Sequence, residues 1–108
     1  MANNFSDATV AISNNSLTTI FTASNKSLVI AGTLSNTGGT AINVTLKKRD
    51  ASASTDFSIL TNVPIPSGSS LELPKIVLQS SDIIKAQSDN SSGNLTVCLL
   101  YTSDAADE

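Results

Sequence analysis

Apolar and polar residues alternate along residues 28–48, LVIAGTLSNTGGTAINVTLKK. In the second half of this stretch Ile42, Val44 and Leu46 point to one side, and the residues between them point to the other. This two-residue period is typical of a β-strand with one buried and one solvated face. The glycine pair at 38–39 allows the positive φ angles of a tight reversal, so the stretch predicts a long antiparallel hairpin.

Short apolar segments separated by turns continue along the rest of the chain. They predict seven to nine antiparallel strands in a single β-sandwich, jelly-roll-like or immunoglobulin-like. Pro64 and Pro66 bracket Ile65 at the end of one such strand, and proline cannot donate to a central ladder. That strand is therefore predicted to lie at a sheet edge or to end in a crossover. Only residues 74–80 are a candidate for a single helical turn.

The chain of 108 residues is long enough for one hydrophobic core. We expect residues 1–8 to be a flexible N-terminal arm, residues 9–102 to form the sandwich, and residues 103–108 to be a disordered tail. The alternation also assigns a set of side chains to the core. The following are expected to be largely buried: Leu28, Ile30, Leu34, Ile42, Val44, Leu46, Phe57, Ile59, Leu71, Leu73, Ile84, Leu95 and Val97.

The last eleven residues, 98–108, read as a translated transposase adapter from a sequencing library. We therefore expect the natural gene product to diverge at Cys98. The only cysteine, the only tyrosine and the terminal acids then carry no information about function. For the same reason the formal net charge of −3 indicates no partner.

The composition favours strands with hydroxyl-rich solvated faces, because 18 serines, 12 threonines and 10 asparagines accompany only 14% charged residues. The sequence contains no histidine, which removes the usual general base and the commonest metal ligand. A lone Cys98 has no partner for nucleophilic chemistry. No run of about 18 apolar residues is present, so no membrane partner is expected. These features predict a protein that is not an enzyme and needs no cofactor.

Five carboxylates, Asp50, Asp56, Glu72, Asp82 and Asp89, fall at predicted turns or on solvated faces. Two of them meeting across the sandwich would resemble a glycosidase dyad, but no tryptophan is available to stack on a sugar. Asp82 and Asp89 are candidate calcium ligands, although their spacing does not match an EF-hand. The simpler interpretation is that Asp82 accepts hydrogen bonds within its own turn.

The one basic run is Lys47, Lys48 and Arg49. Nucleic-acid binding would require stacking aromatics and further basic clusters, which the sequence lacks, so no nucleic-acid partner is expected. A solvated strand end, or a sheet edge guarded by charge, explains the run better.

The order of these signals resembles that of small β-sandwich structural proteins of tailed bacteriophages. The resemblance rests on the stretch 28–48, on VPIPSGSSLEL at 63–73, on DIIKA at 82–86 and on NLTV at 94–97. It covers roughly two thirds of the chain and is a pattern of turns and alternation rather than of catalytic residues. Adhesin modules and other secreted sandwiches share parts of it.

The resemblance implies a non-enzymatic role in the virion, as a capsid decoration subunit or a neck or tail accessory protein. The implied partners are other capsid or tail proteins and further copies of the same chain, most often as a trimer. A carbohydrate-binding or adhesin-type sandwich is the alternative. The contacts are expected in the exposed loops, at Asn36, Thr37, Asp50, Ser52, Pro66, Ser67, Asn90 and Ser92.

Overall fold

The computed structural model describes residues 5–103, which form nine β-strands. The strands are β1 Phe5–Ile12, β2 Thr18–Thr22, β3 Ser27–Asn36, β4 Ile42–Asp50, β5 Thr55–Ile65, β6 Ser70–Leu73, β7 Ile76–Leu78, β8 Ile83–Ser88 and β9 Leu95–Ser103. Every strand pairing is antiparallel. The predicted all-β sandwich is confirmed, and residues 76–78 form a strand instead of part of a helical turn.

Two sheets pack face to face. The five-stranded sheet has the order β1-β9-β3-β6, with β7 also paired to β3, and the four-stranded sheet has the order β2-β8-β4-β5. In this order β9 lies between β1 and β3, and β4 lies between β8 and β5. The strand that ends at Ile65 between the two prolines, β5, is at a sheet edge as predicted.

The predicted hairpin over residues 28–48 is wrong, because β3 and β4 belong to different sheets. The connection between them is an arch that crosses the core. Neither glycine of the 38–39 pair has a positive φ. The arch is held by the side chain of Asn36. Its side-chain nitrogen donates to the carbonyl oxygens of Thr40 and Ile65 at 2.8 and 2.9 Å. The apolar residues before and after the arch thus enter the core from opposite sheets.

The core lies between the two sheets and consists of inward-pointing side chains from all nine strands. Of the residues expected there, Leu34, Ile42, Val44, Leu46, Leu73, Ile84, Leu95 and Val97 are buried. Leu71 is partly buried on the margin of this cluster. The alternation therefore identified the inward face of β4, β8 and the first half of β9 correctly.

A bulge in β3 explains why two other core predictions are wrong. Val29 pairs with Tyr101 whereas Ala31 pairs with Leu100, so Ile30 is an extra residue in β3. The extra residue reverses the inward phase of the strand. Val29 is consequently buried, Leu28 is 36% exposed, and Ile30 is only partly buried.

The prediction for Phe57 is wrong, and Ile59, like Leu71, is only partly buried on the margin of the core. β5 is irregular at this point. Two register shifts interrupt its pairing with β4, one on each side of Leu46, and each adds one residue to β5. One of these shifts makes Ile59 an extra residue, and Leu60 takes the place opposite Leu46. Phe57 lies beyond the part of β5 that packs on the core and remains 52% exposed.

The boundaries of the sandwich differ at the N-terminal end from the prediction. β1 begins at Phe5, so residues 5–8, expected in a flexible arm, pair with β9. The remainder of the predicted arm, residues 1–4, and residues 104–108 of the predicted tail lie outside the described residues. The adapter-like residues 98–103 form the second half of β9, in which Leu99 is fully buried.

Replacing Val44 by alanine is expected to lower the free energy of unfolding by about 2 kcal/mol, because a fully buried side chain is lost and a cavity remains. Replacing Phe57 by alanine is expected to cost under about 1 kcal/mol, because half of that ring is already in water. Urea unfolding of both variants measures the difference. A larger loss for Phe57→Ala would contradict the exposed position of this ring.

Candidate interaction surfaces

The loops gather at the two ends of the sandwich. One end, here the Asn36 end, consists of residues 13–17, 36–41, 66–69 and 89–94. The other, the Asp50 end, consists of residues 23–26, 50–54 and 79–82. The eight residues predicted to make contacts are thereby divided between two separate surfaces, with Asp50 and Ser52 on one and the other six on the opposite one.

Hydrogen bonds tie the loops of the Asn36 end to one another. The Thr37 amide donates to the carbonyl oxygen of Asn94 at 2.9 Å, and the Asn36 amide donates to that of Ser69 at 2.9 Å. The Ser67 hydroxyl donates to the carbonyl oxygen of Gly38 at 2.8 Å. These bonds connect three loops that are far apart in sequence, so this end presents a fixed surface.

Asn36 itself is not available for contacts, and this prediction is wrong. Its side chain is 3% exposed, and its oxygen accepts a 2.9 Å bond from the Gly38 amide while its nitrogen holds the arch. A buried amide must be fully bonded, and this one is. Of the other predicted residues here, Thr37, Pro66, Ser67 and Ser92 are exposed and Asn90 is partly exposed.

Asp82 organises the Asp50 end. Its two carboxylate oxygens accept hydrogen bonds from the amides of Gln79 at 2.9 Å and Ala51 at 3.0 Å. Its backbone oxygen accepts a third from the Ala23 amide at 2.9 Å. One residue that is 2% exposed therefore joins all three loops, and the turn interpretation of Asp82 is confirmed.

Asp50 closes the loop after β4. Its carboxylate oxygen accepts hydrogen bonds from the Ser52 hydroxyl at 2.8 Å and from the Ser52 amide at 3.0 Å. The bond from the Ser52 hydroxyl, followed by one from the Ala53 amide, lowers the pKa of Asp50 below its ordinary value. The Asp50 carboxylate is thus occupied within its own turn, and Ser52 remains exposed.

Asp56 and Asp89 are also engaged. Burial acts to raise the pKa of Asp56, but Arg49 at 3.3 Å and Lys85 at 3.6 Å outweigh it and lower that pKa. Asp89 accepts bonds from the backbone and side-chain nitrogens of Asn43 at 2.9 and 3.1 Å. Asp82 and Asp89 lie at opposite ends of β8, so they cannot share a calcium ion. Residues 5–103 hold no cluster of three metal-ligating side chains.

The basic run does not form a continuous positive patch. The Lys48 ammonium donates to the carbonyl oxygen of Val77 at 2.8 Å, in the other sheet, and lies 3.9 Å from Asp82. Arg49 pairs with Asp56. The run therefore belongs to the strand end, as the sequence suggests, and two of its three charges contact acceptors of the same chain. Within residues 5–103 no helix is long and apolar enough to cross a membrane.

A polar depression of about 280 Å³ lies on the four-stranded sheet near the Asn36 end. Two hydrogen bonds shape its rim: Gln87 donates to the carbonyl oxygen of Asn15 at 3.0 Å, and the Asn62 amide donates to the Thr45 hydroxyl at 3.2 Å. The lining residues are Asn15, Asn43, Thr45, Asn62, Gln87, Ser88 and Asp89. Sequence reasoning missed this site, because its members come from four separate segments.

Exposed apolar side chains mark the opposite, five-stranded sheet. Leu28 is directly paired with Val77, and the two are 36% and 49% exposed. Leu100, 40% exposed, lies on β9 next to β3, where it pairs with Ala31. These three residues are named here the apolar patch. The alternation missed it, because the bulge at Ile30 turns Leu28 outward.

No known protein family matches the sequence, and no curated protein matches it. Two solved structures have a similar fold, and both are crystal structures of a pentameric capsid protein isolated from metagenomic phage sequences. The similarity covers 93% of this chain at 18% sequence identity, with TM-scores of 0.47 and 0.48. The chain spans only 62% and 61% of the lengths of those proteins. At this level the similarity describes the fold alone.

Proposed function

We propose that this chain is a non-enzymatic structural protein of a tailed phage virion, acting by protein–protein assembly as a capsid decoration subunit or a neck or tail accessory protein. The sequence resemblance described above supports this role. The observation that carries it further is that both loop ends are tied by hydrogen bonds between distant loops. A surface already fixed before binding loses little conformational entropy when a neighbour docks on it.

The state of the carboxylates supports a role without catalysis. Asp50, Asp82 and Asp89 accept backbone hydrogen bonds, and Asp56 is paired with two cations. A general acid or base must be free to exchange its proton with a substrate. These groups are instead used to hold strands and turns.

The apolar patch supports a protein partner. Exposed aliphatic side chains that adjoin one another are characteristic of the centre of an interface, whereas hydroxyl-rich loops suit its wet rim. Leu28 and Val77 are direct neighbours across β3 and β7, so they offer one continuous contact.

Sedimentation with virion parts tests the proposal. The purified chain is incubated with heads and, separately, with tails of phages from the sample of origin. We expect it to sediment with one of them, and we expect Val77→Glu to reduce the bound fraction at least about tenfold, since a charge would enter an apolar contact. Thr61→Glu, at an exposed site on β5, is the matched control and should bind as the wild type does.

The polar depression favours one alternative, a carbohydrate-binding module. Its amide and hydroxyl groups suit the hydroxyls of a neutral sugar, although its lining includes no aromatic ring for stacking. A glycan array distinguishes the two functions. The alternative would replace the virion proposal if the chain sedimented with neither heads nor tails and bound a glycan on the array, with Asn62→Ala abolishing that binding.

The proposed assembly includes other copies of the chain. The trimer implied by the sequence resemblance stays a prediction, and the two similar structures, both described as pentameric, do not support it. Native mass spectrometry of the purified chain measures the copy number directly.

A further inference from the structure

The sheets of residues 5–103 have four edges, and three of them carry features that oppose pairing with another strand. β5 contains Pro64 and two register shifts. β2 is five residues long and has a register shift of its own. β6 and β7, which share the third edge, are four and three residues long. Short, irregular or proline-bearing strands are the usual protection of an edge.

β1 has none of these features. Its eight residues pair with β9 in an unbroken register from Phe5 to Ile12. It contains no proline, and its only charge is that of Asp7. Its other side is hydrogen-bonded to no strand among the described residues. A long, regular and nearly uncharged edge is a template for a further strand.

We propose that the edge of β1 pairs antiparallel with β1 of a second copy, about a two-fold axis perpendicular to the sheet, so that the two Thr9 residues lie opposite each other. With such an axis, side chains that point to the same face of the sheet lie opposite each other. The core-facing side of one copy therefore continues the core-facing side of the other. The pairing joins the five-stranded sheets of the two copies into one continuous sheet.

The side chains of β1 suit a second copy as the occupant. In this register Ala8 lies opposite Val10 of the partner copy, and both are only partly buried in the single chain although they pack against the core. Pairing would cover these apolar side chains further. Asp7 lies opposite Ala11, so the two carboxylates do not face each other, and a direct like-charge pair is avoided.

The inference deepens the proposed function and rests on it in one respect, that assembly includes copies of the same chain. A two-fold contact links copies in pairs and does not by itself close a ring of three or five. Dimerisation of the purified chain and its sedimentation with virion parts are separate measurements. A dimer that binds neither heads nor tails would overturn the proposed function and leave the β1 contact standing.

Sedimentation equilibrium of the full chain over a range of concentrations tests the contact. The wild type is expected to form dimers. Thr9→Lys brings two ammonium groups face to face at an exposed position and should raise the dimer Kd more than about tenfold. Thr19→Lys places the same charge on the exposed face of another edge strand, β2, and should leave the Kd unchanged. Thermal unfolding checks that both variants fold.

Cross-linking gives a second readout. In a Cys98→Ser background, Thr9→Cys should form a covalent dimer under mild oxidation, because opposed residues of antiparallel strands come within disulfide range. The background is needed because the Thr9 hydroxyl lies 3.4 Å from the Cys98 sulfur within one chain. A wild type that stays monomeric at its highest soluble concentration, an unchanged Kd for Thr9→Lys, or no covalent dimer would each overturn the proposal.

Discussion

Gly93→Ala is expected to lower the free energy of unfolding by about 4 kcal/mol or more, enough to unfold much of a marginally stable domain. Gly93 has a φ of +75°, which an alanine adopts only at a cost of about 1–2 kcal/mol. Steric overlap accounts for the greater part of the loss. A Cβ atom at this position would overlap the carbonyl group of Ile12 and lie 2.8 Å from the Asn14 nitrogen. Backbone atoms cannot move aside without shifting the end of β1.

Gly68→Ala is the matched control, because Gly68 has nearly the same φ, +74°, with no atom within 4 Å of an added Cβ. It should incur only the cost of the backbone conformation, about 1–2 kcal/mol. Urea unfolding gives both free energies, and equal slopes with denaturant would show that the comparison concerns stability alone. Equal losses for the two variants would mean that residues 89–94 do not pack on the end of β1.

The fold class could be predicted from the sequence because most strands are regular, so that apolar residues recur at every second position. β4 is the clearest case, since Ile42, Val44 and Leu46 are all buried as their alternation predicts. The period fails in β3, where one inserted residue reverses the inward phase, and in β5, where two inserted residues shift the phase twice. Nothing in the local sequence marks Ile30 or Ile59 as an extra residue, because the position of a bulge depends on the pairing register with the partner strand.

The arch between the sheets could not be distinguished from a hairpin by its sequence. Both connections reverse the chain and both tolerate the glycine pair at 38–39. The outcome depends on Asn36, whose amide bonds to Ile65, a residue 29 positions away. A contact of such long range leaves no periodic signal, and the same buried contact explains why Asn36 was mistaken for a surface residue.

Only part of the candidate surfaces could be predicted from the sequence. Loops are exposed in most sandwiches, so Thr37, Ser52 and Ser67 could be assigned from turn chemistry alone. The polar depression and the apolar patch arise from strand pairing and from the bulge at Ile30. These surfaces become visible only when the register is known.

Asp82→Ala is expected to lower the free energy of unfolding by about 3–5 kcal/mol, because two backbone amides lose a buried acceptor and Lys48 loses a nearby negative charge. Asp89→Ala is the control. Asp89 also accepts two hydrogen bonds, both from Asn43, but it is exposed, so that water can replace it at a cost of about 1 kcal/mol. Burial is then the main difference between the two sites.

Amide hydrogen exchange locates the effect of Asp82→Ala. The amides of Ala51 and Gln79 should exchange faster in that variant, since each donates to one carboxylate oxygen. Asp82→Asn keeps one carbonyl oxygen as an acceptor and should retain protection at only one of the two amides. Two outcomes would contradict this account: equal losses of stability for Asp82→Ala and Asp89→Ala, or exchange of both amides as in the wild type. The loops of the Asp50 end would then be held by other contacts. The fixed surface on which the proposed assembly role depends would be confined to the Asn36 end.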